Sequence, residues 1–261
     1  VSRLQDLTID VEGGTIAARV FRPEAPTGAA LVYFHGGGWV LGSVDGHAYP
    51  CSCLAARSGA TVISVEYRLA PEHPYPVPVD DCYRAWQAVR QRAEELGIDP
   101  GRIAVGGDSA GGNLAAAVCL RAIARGEPRP AFQLLVYPAT DLVEDAASVE
   151  LFAEGFLLGR RGMIWFKDHY APVERRREPE CSPLLAPSLE AHPPAYVLLA
   201  GFDPLRDEGR AYAKRLEEAG VEVVLDEVPS SMHGFFNLGW YIPVADAAMH
   251  RAAEALREAL G

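Results

Sequence analysis

Residues 102–125 read RIAVGGDSAGGNLAAAVCLRAIAR, and the change of character along them decides the fold. Residues 102–105 form a short apolar run, Gly106 and Gly107 break it, and a helical pattern occupies 110–125. A strand that passes through a tight turn straight into a helix is the repeating unit of a parallel sheet with helical crossovers. Similar apolar runs at 29–34, 61–65, 132–137, 195–200 and 221–228 read as further parallel strands, mostly buried on both faces. Upstream, 7–12 and 15–22 alternate in character around Gly13 and Gly14, which predicts an antiparallel hairpin. Helices are expected at 47–58, 81–96 with Asp80 or Asp81 as cap, 110–125, 205–219 and 244–260. The fold class is therefore α/β: an eight-stranded, mostly parallel sheet with helices on both faces and right-handed crossovers.

The length of 261 residues suits one α/β domain covering 1–261. A hydrophobic share of 49% and a charged share of 23% are those of a globular protein in water and exclude a disordered or fibrous chain. The formal net charge of -11 repels polyphosphate and anionic bilayers, so nucleic acid is not an expected partner. Arg175, Arg176 and Arg177, flanked by Glu174 and Glu178, read as a solvated turn. Apolar runs such as 195–202 are far shorter than the roughly twenty residues that cross a bilayer, so no membrane span is expected. The opening VSRLQDLTIDVE contains no apolar signal-peptide core. Five cysteines, odd in number and without a CxxC pair, read as free thiols and suggest neither a disulfide framework nor a zinc site. A cytoplasmic location and no metal are the resulting expectations.

One stretch breaks the strand and helix rhythm. Residues 140–194 offer no convincing strand yet carry Phe152, Phe156, Trp165 and Phe166, too aromatic for a linker. A long segment of this kind reads as an excursion packed over the carboxyl edge of the sheet, where ligands bind in α/β folds, or as a plain helical insertion filling core.

Gly107 to Gly111 spell GxSxG in a strand, turn and helix setting that turns five weak letters into a specific signal. Small neighbours let the backbone bend sharply, so that the Ser109 hydroxyl stands at the sheet edge and the Ala110 amide faces a developing oxyanion. Read instead as a phosphate loop, GGDSAGG lacks the lysine of a P-loop and the acidic residue of a dinucleotide site. HGGG at 35–38 follows another strand, and Gly37 and Gly38 are the candidate oxyanion donors. Of seven histidines, His233 alone lies in a loop after the last strand, His250 falling in the terminal helix, which makes His233 the candidate base. Asp203 follows the seventh strand on the same edge and is the candidate to orient that base; Asp207 and Asp226 read as structural. Trp39, Asp108, Phe156 and Leu205 are the expected substrate contacts.

With HGGGW at 35–39, YRLAPEHPYP at 67–76, GDSAGG at 107–112, DPLRDEG at 203–209 and HGF at 233–235, the chain resembles the hormone-sensitive lipase family of bacterial esterases, in the version whose elbow reads GDSAG. That resemblance implies the α/β-hydrolase fold, carboxylesterase activity on short- to medium-chain acyl esters without a cofactor, and Gly37, Gly38 and Ala110 as the oxyanion hole. It also implies a homodimer through the last strand. Family members usually carry a helical cap segment ahead of the first strand; the chain as given starts almost at that strand, so a reduced cap and a more open, wetter acyl site are expected. The gibberellin receptors resemble the same family but have lost the catalytic histidine, so an inactive small-molecule receptor is the alternative from another class, disfavoured by His233. An amidase, a lipase or a lactonase would share the triad and differ only in the pocket.

Overall fold

The computed structural model describes residues 1 and 3–261, with the side chain of Arg3 left aside. The glycine pair turns β1 (Arg3–Val11) back onto β2 (Gly14–Arg22), with Val11 opposite Gly14. β2 pairs antiparallel with β4 (Thr61–Glu66). Beyond it every pairing is parallel, through β3 (Ala30–Phe34), β5 (Ile103–Asp108), β6 (Gln133–Val136), β7 (Ala195–Phe202) and β8 (Val223–Met232). The strand order is β1-β2-β4-β3-β5-β6-β7-β8, the eight-stranded and mostly parallel sheet that the alternation predicts. Because β4 lies on one side of β3 and β5 on the other, the loops leaving β3 and β5 diverge. They open a crevice at the carboxyl edge.

Both faces of the sheet are covered, which is why its strands are apolar along their whole length. On β3, Leu31 and Tyr33 pack in one cluster with Leu54 of α1 (Ala48–Ser58) and Met249 and Leu256 of α8 (Pro243–Leu260). Ala30, Val32 and Phe34 point the other way, toward Val79 and Trp86 of α2 (Val77–Gln91) and Leu114 and Val118 of α4 (Ala110–Ala124). Tyr212 of α7 (Arg206–Glu218) extends that second cluster over Val197 and Leu199 of β7.

Three boundaries differ from the expectation. α2 starts at Val77 rather than at a cap on Asp80 or Asp81, because Pro78 is accepted in a first turn whose amides need no partner. Asp81, fully buried, instead receives the Arg68 backbone amide at 3.0 Å and its guanidinium at 2.6 and 2.8 Å. The helix also breaks at Arg92, and α3 (Ala93–Leu96) is closed by Gly97 in the left-handed region. β5 continues to Asp108, since Gly107 and Asp108 still pair with Leu135 and Val136 of β6. β8 runs on to Met232 and so delivers the next residue, His233, to the crevice.

Residues 140–194 contain α5 (Ala147–Leu151), α6 (Arg160–Tyr170) and two short 3₁₀ turns. The arginine run corrects one reading, for it is not simply a solvated turn. Arg175 chelates Glu178 at 2.7 and 2.8 Å and lies over the Tyr75 ring, while Arg176 reaches Asp168 at 2.7 Å and the Ala171 carbonyl at 3.0 Å. These pairs fasten the excursion to itself and to the segment before α2.

Gly111, in the first turn of α4, lies flat against β3: a Cβ there would collide with the carbonyl oxygens of Phe34 and His35. Backbone cannot yield as a flexible side chain would. Gly111→Ala is expected to destabilise the chain by about 1–3 kcal/mol, as overpacked interiors do. Calorimetry should show the melting temperature falling by roughly 2–4 °C for each kcal/mol lost.

Candidate active site

Ser109 sits between β5 and α4 with φ 57° and ψ -117°, a conformation that an L-residue resists. Bonds on both sides hold it there. Its amide donates to the Val136 carbonyl at 2.8 Å, and its carbonyl accepts from the amides of Asn113 at 3.1 Å and Ala139 at 3.3 Å. The Asn113 side chain donates to the carbonyls of Ala139 at 2.9 Å and Cys181 at 3.0 Å, so the start and the far end of the excursion are tied to the same elbow.

His233, immediately after β8, stands with Nε2 2.9 Å from Ser109 Oγ and Nδ1 2.7 Å from Asp203 Oδ2. With Nδ1–H donating to the carboxylate, Nε2 is free to accept the serine proton. Asp203 is fully buried, and its other oxygen accepts the Leu205 amide at 2.8 Å, which fixes the carboxylate plane. Tyr137 packs over the imidazole with ring centroids 4.6 Å apart. The structure thus brings together the serine, histidine and aspartate singled out from the sequence, in a chain of two hydrogen bonds.

The glycine loop after β3 faces this chain across a cavity of about 360 Å³. Gly37 and Gly38 have φ 120° and 60°, and among the described residues no acceptor takes their amides or that of Ala110. Three unengaged N–H groups beside a nucleophile form a ready site for an anionic oxygen. A Cβ on Gly38 would run into the Phe166 ring of α6, so the excursion packs directly against the loop. Trp39 stacks on Tyr170 of the same helix, centroids 4.2 Å apart and rings 4° from parallel. The rest of the lining is mainly apolar: Leu142, Leu157, Leu158, Met163 and Leu205.

Of the expected substrate contacts, Trp39 and Leu205 line the cavity. Phe156 does not. Its ring stacks on Phe202, centroids 5.7 Å apart, and meets Phe152 edge-on, leaving the neighbouring Leu157 and Leu158 to face the cavity. Asp108 also departs from the expectation: it borders the cavity, but both carboxylate oxygens are engaged by protein donors and the residue is 3% exposed. Several lining residues escaped the sequence reading. Met163, Phe166 and Lys167 recur at three- and four-residue steps on α6, a helical period that a search of the excursion would have found. His47 and Asn237 carry no such local signal. Among the described residues no group of three or more His, Cys, Asp or Glu side chains is placed to hold a metal ion.

A family model described as alpha/beta hydrolase fold matches residues 31–237. Carboxylic ester hydrolase LipN of Mycobacterium tuberculosis is 46% identical over 242 residues, which cover 89% of this chain and 64% of that protein. Ethyl acetate hydrolase of Pseudomonas putida is 41% identical over 264 residues, covering 98% of this chain and 83% of the relative. The chain therefore spans a little under two thirds of LipN and more than four fifths of the Pseudomonas protein. Among solved structures, EstE1, a thermophilic carboxylesterase cloned from a metagenomic library, superposes with a TM-score of 0.97 at 41% identity, covering 100% of this chain and 90% of that one.

Behind Asp203, Glu208 of α7 anchors the start of the excursion. Its Oε1 accepts the amides of Thr140 at 2.6 Å and Asp141 at 3.2 Å, and it is 2% exposed. Burial pushes its carboxyl up to about 8, although the Thr140 amide and Lys167 pull the other way. The folded chain therefore keeps a proton that the unfolded chain releases above the ordinary value of 4.5. Stability from this group is full below that value and drains away as pH rises through about 8. Melting curves between pH 5 and 9 should show a decline in the wild type that is shallower in Glu208→Gln.

Proposed function

This chain belongs to the α/β-hydrolase family, and we infer that it is a carboxylic ester hydrolase acting through an acyl-enzyme on Ser109. The observation that carries the reading is the unbroken line of hydrogen bonds from Asp203 through His233 to Ser109, at the wall of an apolar cavity. Ser109 Oγ attacks the ester carbonyl while His233 Nε2 takes the hydroxyl proton. The carbonyl oxygen becomes an oxyanion held by the amides of Gly37, Gly38 and Ala110. His233 then passes the proton to the leaving alkoxide, which departs as the alcohol. In the second half, His233 deprotonates a water that attacks the acyl carbon, and the proton returns to Ser109 as the acid leaves. Asp203 stays ionised throughout, holding the imidazole tautomer and steadying the imidazolium. A ligand-binding role without turnover is disfavoured, since the histidine that turnover needs stands within bonding reach of the serine.

The substrate class follows from the cavity. At about 360 Å³ it lies near the small end of ligand sites, and its apolar lining suits short- to medium-chain acyl groups. Residues 140–194 serve as the cap over this site, with Met163 and Phe166 as its inner surface. No described helix is long and apolar enough to cross a membrane. Free cysteines, four of them buried, suit a reducing compartment such as the cytoplasm. β8 ends the sheet with Val224 and Leu225 exposed, an edge suited to pairing with a second copy of the chain.

Ser109→Ala should lower kcat on p-nitrophenyl butyrate by a factor on the order of 10⁴ to 10⁶ and abolish labelling by a fluorophosphonate, with an unchanged circular dichroism spectrum. Asp203→Asn should cost about 10⁴-fold in kcat through the wrong tautomer. Across p-nitrophenyl esters, kcat/KM should be high for acetate to hexanoate and collapse for palmitate; equal turnover of palmitate would overturn the assigned acyl range. An unlabelled, inert wild-type protein would overturn the hydrolase reading itself.

A further inference from the structure

Asp108 is a buried carboxylate that joins several separate segments around the triad. Its Oδ1 accepts the Tyr33 hydroxyl of β3 at 2.7 Å and the Gly36 amide at 3.0 Å. Its Oδ2 accepts the Asn237 side-chain amide at 3.2 Å and faces His47 Nε2 at 3.3 Å. One carboxylate thus joins the elbow that carries Ser109, the loop that carries the oxyanion donors and the segment just beyond His233. The approach is close enough that a Cβ on Gly36 would strike Oδ2 itself. All three glycines border the cavity, and the first of them is also needed to admit the Asp108 side chain.

Burial alone would raise the carboxyl of Asp108, but the charge of His47 and the bonds from His47, Tyr33 and Asn237 outweigh it and hold the group well below the usual carboxylate range. Burial likewise opposes a charge on His47, and Asp108 again prevails, with a smaller contribution from Glu66, so the imidazole is raised. His35, whose ring lies 5.4 Å from that of His47, is driven down to about 4 by burial and stays neutral. The carboxylate therefore faces an imidazole whose protonated form it favours, beside a hole that must accept a second anion during the reaction. An unbalanced carboxylate there would repel the developing oxyanion; a balanced one can fasten the loop without that cost.

We propose that Asp108 and His47 are positioning residues for ester hydrolysis: the carboxylate aligns the oxyanion loop through Gly36, and His47 cancels its charge so that the oxyanion can form beside it. This rests on the hydrolase reading above. The balance predicts a specific pattern in a double-mutant cycle. His47→Gln keeps a side chain able to donate a hydrogen bond but strands the anion, and kcat should fall about 10- to 100-fold with KM nearly unchanged. Asp108→Asn should cost a similar factor, because an amide presents a donor where Oδ2 accepts from Asn237 and faces His47. In the double variant an asparagine and a glutamine form a neutral hydrogen-bonded pair, and kcat should recover to within about tenfold of wild type, above the His47→Gln single variant.

The affinity of a trifluoromethyl ketone inhibitor, whose adduct carries the oxyanion, should follow kcat across the set, while melting temperatures should not. Additive losses, or losses in KM instead of kcat, would overturn the proposal. If Asp108→Asn does not fold, His47→Gln alone decides, since an unchanged kcat would overturn the charge-balancing role. Fluorophosphonate labelling of the wild type keeps the two readings separate: a labelled and active wild type with unaffected variants refutes this inference and leaves the hydrolase reading standing.

Discussion

The backbone of Ser109 occupies a region that costs on the order of 1–3 kcal/mol for a residue with a Cβ, and the site exists only because its surroundings enforce that conformation. On one side the β5 ladder extends to Asp108, so the strand does not end until the residue before the turn. On the other, α4 starts at Ala110 with Gly111 pressed against the carbonyls at the end of β3. With strand and helix both fixed, the connecting residue has no relaxed alternative, and its hydroxyl is aimed out of the sheet. Everything the other loops supply is arranged around that one direction.

Electrostatics then separates two carboxylates that sit close to the serine in the fold. Asp203 is bound to the imidazole and to one amide, a simple brace for a group that must rotate very little. Asp108 is bound from β3, the glycine loop, the residue that precedes α1 and the segment after His233, a junction for parts of the chain distant in sequence. Both are buried, and each is satisfied by a different kind of partner. Their environments, rather than their chemistry, divide the labour.

The core of this arrangement is legible in the sequence because it is written in local patterns. Apolar runs of strand length, glycines at the elbow and the order Ser109, Asp203, His233 each report on the carboxyl edge of a parallel sheet, and the edge is where the structure places them. What the sequence hides is tertiary. His47 looks like any histidine opening a helix, and only the fold brings it to a carboxylate sixty-one positions away. Phe156 and Leu157 are neighbours of similar character, and the turn of the backbone alone decides that the leucine faces the cavity while the phenylalanine finds Phe202. The caps proposed at Asp80 and Asp81 failed for the same reason: Arg68 offered Asp81 a better partner than a helix terminus could.

The contact between Phe166 and Gly38 carries a consequence for how such a chain can change over generations. The helix that lines one side of the cavity is also the wall against which the glycine loop rests, and Trp39 on Tyr170 doubles the attachment. Widening the cavity by trimming Phe166 would at the same time release the glycine loop. At Phe166, the width of the cavity and the support of the loop are thus inherited as one trait. New specificities are more readily gained at Leu157, Leu158 or Met163, which line the cavity without appearing among the groups that crowd Gly37 or Gly38.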